Sequence, residues 1–261
     1  MCIAMPFETV EGAPLEGVPL LYRMGREFQV TRPFAYRDPR DGRRTLVPAH
    51  DVERPPLPGN STDFASVPPF LWGLIANYGP QTLPAILHDA LVEDARRAPP
   101  AERLPHRRAA DDLFRIALLD NGVHRLRARV MWAAVGLDRS ARLGGAGGLA
   151  AVAQVTVGAL ALVAAVALAV AVSPWWMLIF AAPALAAVVH GPETRLVIAA
   201  SYLGALYLPL VTGAFLASRA EQLLALAVWL ATGCRERAPR AEPTLRWPRE
   251  SITGDDVRRT S

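Results

Sequence analysis

Residues 149–172 read LAAVAQVTVGALALVAAVALAVAV, 24 residues without a charge and interrupted only by Gln154 and Thr156. As a helix rising 1.5 Å per residue this stretch is about 36 Å long, enough to cross a bilayer with some tilt. A chain of 261 residues has no soluble core large enough to hide it. Charge is distributed accordingly. Residues 1–146 hold 19 Arg and 17 acidic side chains, residues 147–233 hold two of each, and the last 28 residues hold seven Arg and five acids. The sequence therefore predicts a soluble head, an apolar membrane region and a charged tail.

Beyond Val172, Ser173-Pro174 reads as a reversal, and Trp175-Trp176 places two indoles where a membrane interface belongs. Trp176 to Val189 is then a short second span and Leu196 to Ser218 a third. Leu223 to Ala231 is too short alone, and reads as a fourth thin span or an interfacial helix. Residues 149–233 thus carry two to four transmembrane helices, with the lipid bilayer as partner. Arg125, Arg127, Arg129, Arg139 and Arg142 precede the first span and its far turn has no basic residue. That asymmetry puts the head in the cytoplasm. Arg235, Arg237 and Arg240 favour an even number of crossings. Arg125, Arg127 and Arg129 are also candidates for contact with anionic lipid headgroups.

All 28 basic residues are Arg, which points to a GC-rich coding genome. The nearly matched acids of the head argue against nucleic acid as a partner. Cys2 and Cys234 form no disulfide scaffold or metal spacing, and the N-terminus has no secretory signal pattern.

In the head, residues 1–142, extended runs are expected at Arg26–Val30, Phe34–Arg37 and Arg43–Val47, with a hairpin turn at Pro39-Arg40-Asp41-Gly42. A Pro-dense connector at Arg54–Asn60 precedes helices near Pro68–Ile75, Thr82–Ala95, Arg107–Asn121 and Val123–Leu137. The fold class is α+β: a small antiparallel sheet, about four helices, then an all-α membrane region. Residues 143–148 read as a Gly-rich linker and residues 234–261 as a disordered charged tail.

Three groups of polar residues stand out. In Ala85–Asp94, apolar side chains surround nearly the whole helix, so His88 and Asp89 each lie among apolar neighbours. Burying such groups is costly unless each finds a partner. In Arg108–Leu118, Asp111 projects beside Phe114 and Leu118, whereas Asp112 projects with Arg108 and Arg115 towards water. In Ser61–Trp72, Ser66 or Asp63 caps a following helix, or Asp63 approaches His88 and Asp89. Read as a site, His88, Asp89, Asp111 and Asp63 act as acid and base on a water, and His88, Asp89 and Asp111 are the candidate ligands of a divalent metal. Read structurally, the same residues organise the head. No cofactor-binding fingerprint is present.

Thr62–Pro68, the His88-Asp89 pair and Ala110-Asp111 followed by Phe114 resemble, in order, the hallmarks of the phage and prophage proteins grouped as domain of unknown function 1353. The resemblance covers about residues 20–137 and implies a phage or prophage origin without an activity. The chain departs from the family's usual pattern at Leu91-Val92, where an aromatic pair is common, and at Pro69, where Arg is usual. His50, His88-Asp89 and Asp111 also reproduce the order of residue types in metal-dependent phosphohydrolases, an all-helical class, and Ser66 is a weaker nucleophile candidate. Two functions follow as expectations. One is a membrane-anchored phage or prophage protein whose head is a small metal-dependent or acid–base hydrolase. The other is a non-catalytic accessory protein acting in lysis, superinfection exclusion or assembly.

Overall fold

The computed structural model describes residues 6–23, 27–57, 59–63 and 79–233. The expected helix at 68–75, Ser66, both cysteines and the tail from 234 lie outside them. Five short strands come first: β1 (Phe7–Thr9), β2 (Leu20–Tyr22), β3 (Phe28–Val30), β4 (Phe34–Arg37) and β5 (Arg44–Val47). β4 and β5 form the expected hairpin in the register Phe34↔Val47 to Arg37↔Arg44, and Gly42 supplies the positive φ of its turn at 71°. β1 pairs with the other edge of β4, giving the antiparallel order β1-β4-β5, while β2 and β3 make a separate antiparallel pair. Neither β1 nor β2 was expected from the sequence, because three residues are too few to show an alternating pattern.

Helices follow: α1 (Thr82–Arg97), α2 (Pro100–Asp120) and α3 (Arg125–Leu143). The α+β class is therefore observed. It also separates this head from the all-helical phosphohydrolases. α2 begins seven residues before its expected start at Arg107, with Pro100 at a position where the missing N–H costs nothing. One face of the sheets packs on α1 and α2 through Phe7, Val30, Phe34, Tyr36, Val47, Ile86, Leu87 and Ala117. Side chains the size of Ile86 and Leu87, both essentially fully buried, each contribute roughly 1.5–3 kcal/mol. Tyr36 adds a directional tie, its hydroxyl donating to Asp120 Oδ2 at 2.6 Å.

The Pro-rich connector is held by two amides rather than by secondary structure. Buried Gln29 donates from Nε2 to the carbonyls of Asp51, Arg54 and Asn60 at 3.0–3.2 Å and accepts from Arg23 Nε at 2.7 Å. Asn60 bridges Asp51 from the other side. Thr62 then pairs through its backbone with Phe28, which brings the 62–63 segment against β3.

After α3 the chain continues as α4 (Gly145–Ala171), a 3-10 segment (Pro174–Ala181), α5 (Ala182–Ala187), a second 3-10 segment (Val188–Glu193) and α6 (Thr194–Ala231). Two stretches are long and apolar enough to cross a membrane: Gly145–Ala171, with mean hydropathy 2.2, and Pro174–Ala231, with 1.7. The Trp176–Val189 run is not one regular helix. It changes from 3-10 to α-helix at Ala182, next to Pro183, which lacks the N–H a continuous helix needs, and beyond the run Gly191, at a non-helical φ of 54°, and Pro192 interrupt the chain again. The runs Leu196–Ser218 and Leu223–Ala231 are joined in the single α6, because no Gly or Pro interrupts the polar step between them. The chain clusters into two compact units, one including residues 79–206 and the other beginning at Tyr207.

The expected linker is mostly helical: only Gly144 separates α3 from α4. Its glycines permit a close approach. A Cβ on Gly148 would stand 2.0 Å from the Ser140 carbonyl oxygen, whereas one on Gly147 meets nothing within 4 Å. Gly148→Ala is accordingly expected to destabilise the protein by about 1–3 kcal/mol. Gly147→Ala should be neutral or stabilising by up to about 1 kcal/mol. Thermal unfolding of the two detergent-solubilised variants distinguishes a tight joint from a passive linker, which would tolerate both equally.

Candidate functional site

α1 turns His88 into the head, where it is 6 % exposed, and places Asp89 about 100° further round the helix at a half-buried position. From α2, Asp111 projects inward and is completely buried, while its neighbour Asp112 is exposed. The two inward groups meet: His88 Nε2 lies 2.8 Å from Asp111 Oδ1, and the imidazole rests against the Phe114 ring at 4.7 Å between centroids. Asp111 also accepts from two guanidiniums. Arg107, one turn earlier on α2, donates from Nε to Oδ1 at 3.2 Å, and Arg139 of α3 donates from Nη1 to Oδ2 at 2.5 Å.

Arg139 extends the cluster. Itself 3 % exposed, it donates from Nη2 to Glu193 Oε2 at 2.7 Å. The other oxygen of Glu193 accepts from Arg108 Nη2 at 2.6 Å. Asp138 pairs with Arg142 at 2.6 Å and with Arg107 at 3.6 Å. A continuous chain of hydrogen bonds and ion pairs thus runs from α1 through α2 and α3 to the segment that precedes α6.

Burial holds the His88 pKa below its ordinary 6.5, and it outweighs the opposing pull of the Asp111 hydrogen bond and charge. The imidazole is therefore neutral near pH 7 and donates its Nε2–H to the carboxylate. Such a dyad can orient a proton or fix two helices together.

The other predicted residues lie elsewhere. Asp89 Oδ2 accepts from Thr62 Oγ1 at 2.6 Å, so it is Thr62 that ties the first motif to α1. Asp63 is buried at the adjacent position. His50 Nδ1 accepts from the Val30 backbone N–H at 2.9 Å and serves the sheet. Asp112 accepts from the Trp132 indole at 3.1 Å. Among the described residues no three His, Cys, Asp or Glu side chains converge as metal ligands. A set of His88, Asp89 and Asp111 is not assembled, because Asp89 leaves on a different helix face. The two guanidiniums on Asp111 also occupy it with positive charge.

The sequence reading missed Arg107, Arg108, Arg139 and Glu193. Arg139 was counted only as a positive flank of the first span. Glu193 carried a usable signal: it is one of two acids in residues 147–233, and a carboxylate in an apolar stretch requires a partner.

Residues 28–135 match the family model described as protein of unknown function (DUF1353). The resemblance drawn from the three motifs holds over that stretch. No curated protein and no solved structure matches the chain. The DUF1353 region supplies His88, Arg107, Arg108 and Asp111, whereas Arg139 and Glu193 lie beyond its end.

Between the depressed folded pKa of His88 and its unfolded value of 6.5, only the unfolded chain binds the proton. Acidification through that window should therefore lower stability, and the contribution is fully present above it. Unfolding measured from pH 8 to pH 5 should show this slope, and His88→Gln, which keeps an N–H donor for Asp111, should flatten it. Asp111→Asn leaves Arg107 and Arg139 without their shared carboxylate, with an expected loss of about 3–5 kcal/mol in the same measurement.

Proposed function

We propose that this chain is an integral inner-membrane protein with a cytoplasmic DUF1353 head, serving as a non-catalytic accessory protein of a phage or prophage. The membrane seat is supported by apolar side chains turned outward on both apolar stretches: Val157, Val170, Leu178, Leu185 and Val189 are 66–85 % exposed. Soluble proteins rarely leave contiguous apolar surface of this extent in water. The orientation rests on the arginines before α4.

The observation that carries the non-catalytic reading is the commitment of Asp111. Three fixed donors take three of the roughly four acceptor positions on its two oxygens, and at zero exposure it is closed to a reacting water. A group held in this way joins helices. One observation favours the hydrolase instead, the neutral imidazole oriented by a carboxylate. A general base must also reach its substrate, and the His88 side chain is only 8 % exposed.

The full chain is expected to stay with bacterial membranes through an alkaline carbonate wash, with its head protected from protease added outside spheroplasts. Release by the wash would sink the membrane seat. A folded His88→Gln variant should keep the protein's biological effect, because glutamine preserves the donor but cannot shuttle a proton. Loss of effect in that folded variant would turn the reading to the hydrolase. Truncation after Arg142 should leave a head that fails to fold, since Arg139 loses Glu193 and Ala133 loses its packing on Ala151, Val155 and Leu196. A monomeric, cooperatively melting 1–142 fragment would show that the ion pairs are dispensable.

A further inference from the structure

A cleft of about 500 Å³ opens between α2, α3 and the start of α6. Five arginines line it, against two acids, Asp112 and Glu193. Arg108 and Arg139 are spent on Glu193, and Asp112 accepts the Trp132 indole N–H. Arg115, Arg129 and Arg195 make no ion pair with a carboxylate among the described residues. A neighbouring hollow of about 250 Å³ shares Arg115 and Arg129 and adds Arg125. Arg139 lines this cleft and also a second hollow beside Arg107 and Asp138. It is 3 % exposed and its Nε–H has no acceptor among the described residues, although a buried donor left unmade is costly.

The lining also has an apolar part. Trp132, Leu196, Ile198 and Ala199 form it, and the last three belong to the helix that continues as the apolar stretch. Unpaired guanidiniums recognise phosphate oxygens through charge-assisted, often bidentate hydrogen bonds, and an aliphatic wall beside them suits a hydrocarbon chain. A soluble anion would use the first feature and leave the second unused.

We infer that this cleft is a binding site for an anionic phospholipid, its phosphate held by Arg115, Arg129 and Arg195 and its glycerol and upper acyl carbons laid over Trp132 and Leu196. The site rests on the membrane reading for the source of its ligand. It adds a specific pocket to the general attraction of a basic flank for anionic headgroups.

The test uses the full chain in non-ionic detergent, titrated calorimetrically with dihexanoyl-phosphatidylglycerol, dihexanoyl-phosphatidylcholine and inorganic phosphate. Phosphatidylglycerol should bind saturably at one per chain, at least about tenfold more tightly than either of the others. Replacing Arg115, Arg129 and Arg195 together by Gln should weaken it about a hundredfold. A triple control, Arg32→Gln, Arg43→Gln and Arg97→Gln, changes charge equally and should stay within about twofold of the parent. If the cleft triple does not fold, Arg129→Gln and Arg195→Gln, both at exposed positions, are titrated singly and should each weaken binding. Equal affinity for inorganic phosphate would overturn the lipid assignment, and equal weakening by the control triple would overturn the site. A chain that washes out of membranes yet still binds phosphatidylglycerol through these arginines would sink the membrane seat alone.

Discussion

The packing of the head onto its apolar segment depends on a carboxylate with no access to water. Asp111 stands in a place where an isolated charge would cost several kcal/mol, so the surrounding elements must bring donors to it. α1 brings His88, α2 brings Arg107 from one turn away, and α3 brings Arg139. The requirement then propagates. Arg139 is itself buried and serves a second carboxylate, Glu193, which in turn holds Arg108. With Asp138 included, four guanidiniums, Arg107, Arg108, Arg139 and Arg142, face three carboxylates around a neutral imidazole. A proton on His88 would add to that excess of positive charge inside the protein, the same direction in which burial moves its pKa.

This chain of hydrogen bonds and ion pairs crosses a boundary in the sequence. The DUF1353 match ends at residue 135, four residues before Arg139. The family region thus holds Asp111 and part of its donor set, while the remainder comes from the residues that lead into and out of α4. Ala133 of α3 lies in one apolar cluster with Ala151, Val155, Leu196 and Val197. Ion pairs and apolar packing therefore join the same two regions. With Gly148 packed tightly on Ser140, the end of α3 has little freedom to separate from the start of α4.

Much of this was legible from residue types. The β4–β5 hairpin followed from two extended runs around Asp41-Gly42, and α1 from its unbroken apolar circumference. A rotation of 100° per residue separated buried Asp111 from exposed Asp112 and placed His88 inside. What escaped depended on partners distant in sequence. Glu193 stands 54 positions from Arg139, and nothing local in either neighbourhood identifies the other. Asp89 was grouped with His88 because both lie among apolar neighbours, yet adjacent positions on a helix send side chains in different directions, and Asp89 meets Thr62. The Gly run read as a linker because composition alone does not reveal how closely two helix ends approach.

The use of Arg rather than Lys, which composition attributes to coding bias, has a structural consequence at Arg139. Its two terminal nitrogens address two carboxylates on different elements at the same time, Nη1 towards Asp111 and Nη2 towards Glu193. A guanidinium holds these donors in one rigid plane at a fixed separation, whereas an ammonium concentrates its charge on a single nitrogen. The position is therefore a bracket between two anions, set by the width of the guanidinium. That geometry leaves the third donor, Nε–H, directed at neither carboxylate. The same planar fork that ties head to apolar segment thus leaves one donor without an acceptor among the described residues, on a side chain that also lines the arginine-rich cleft.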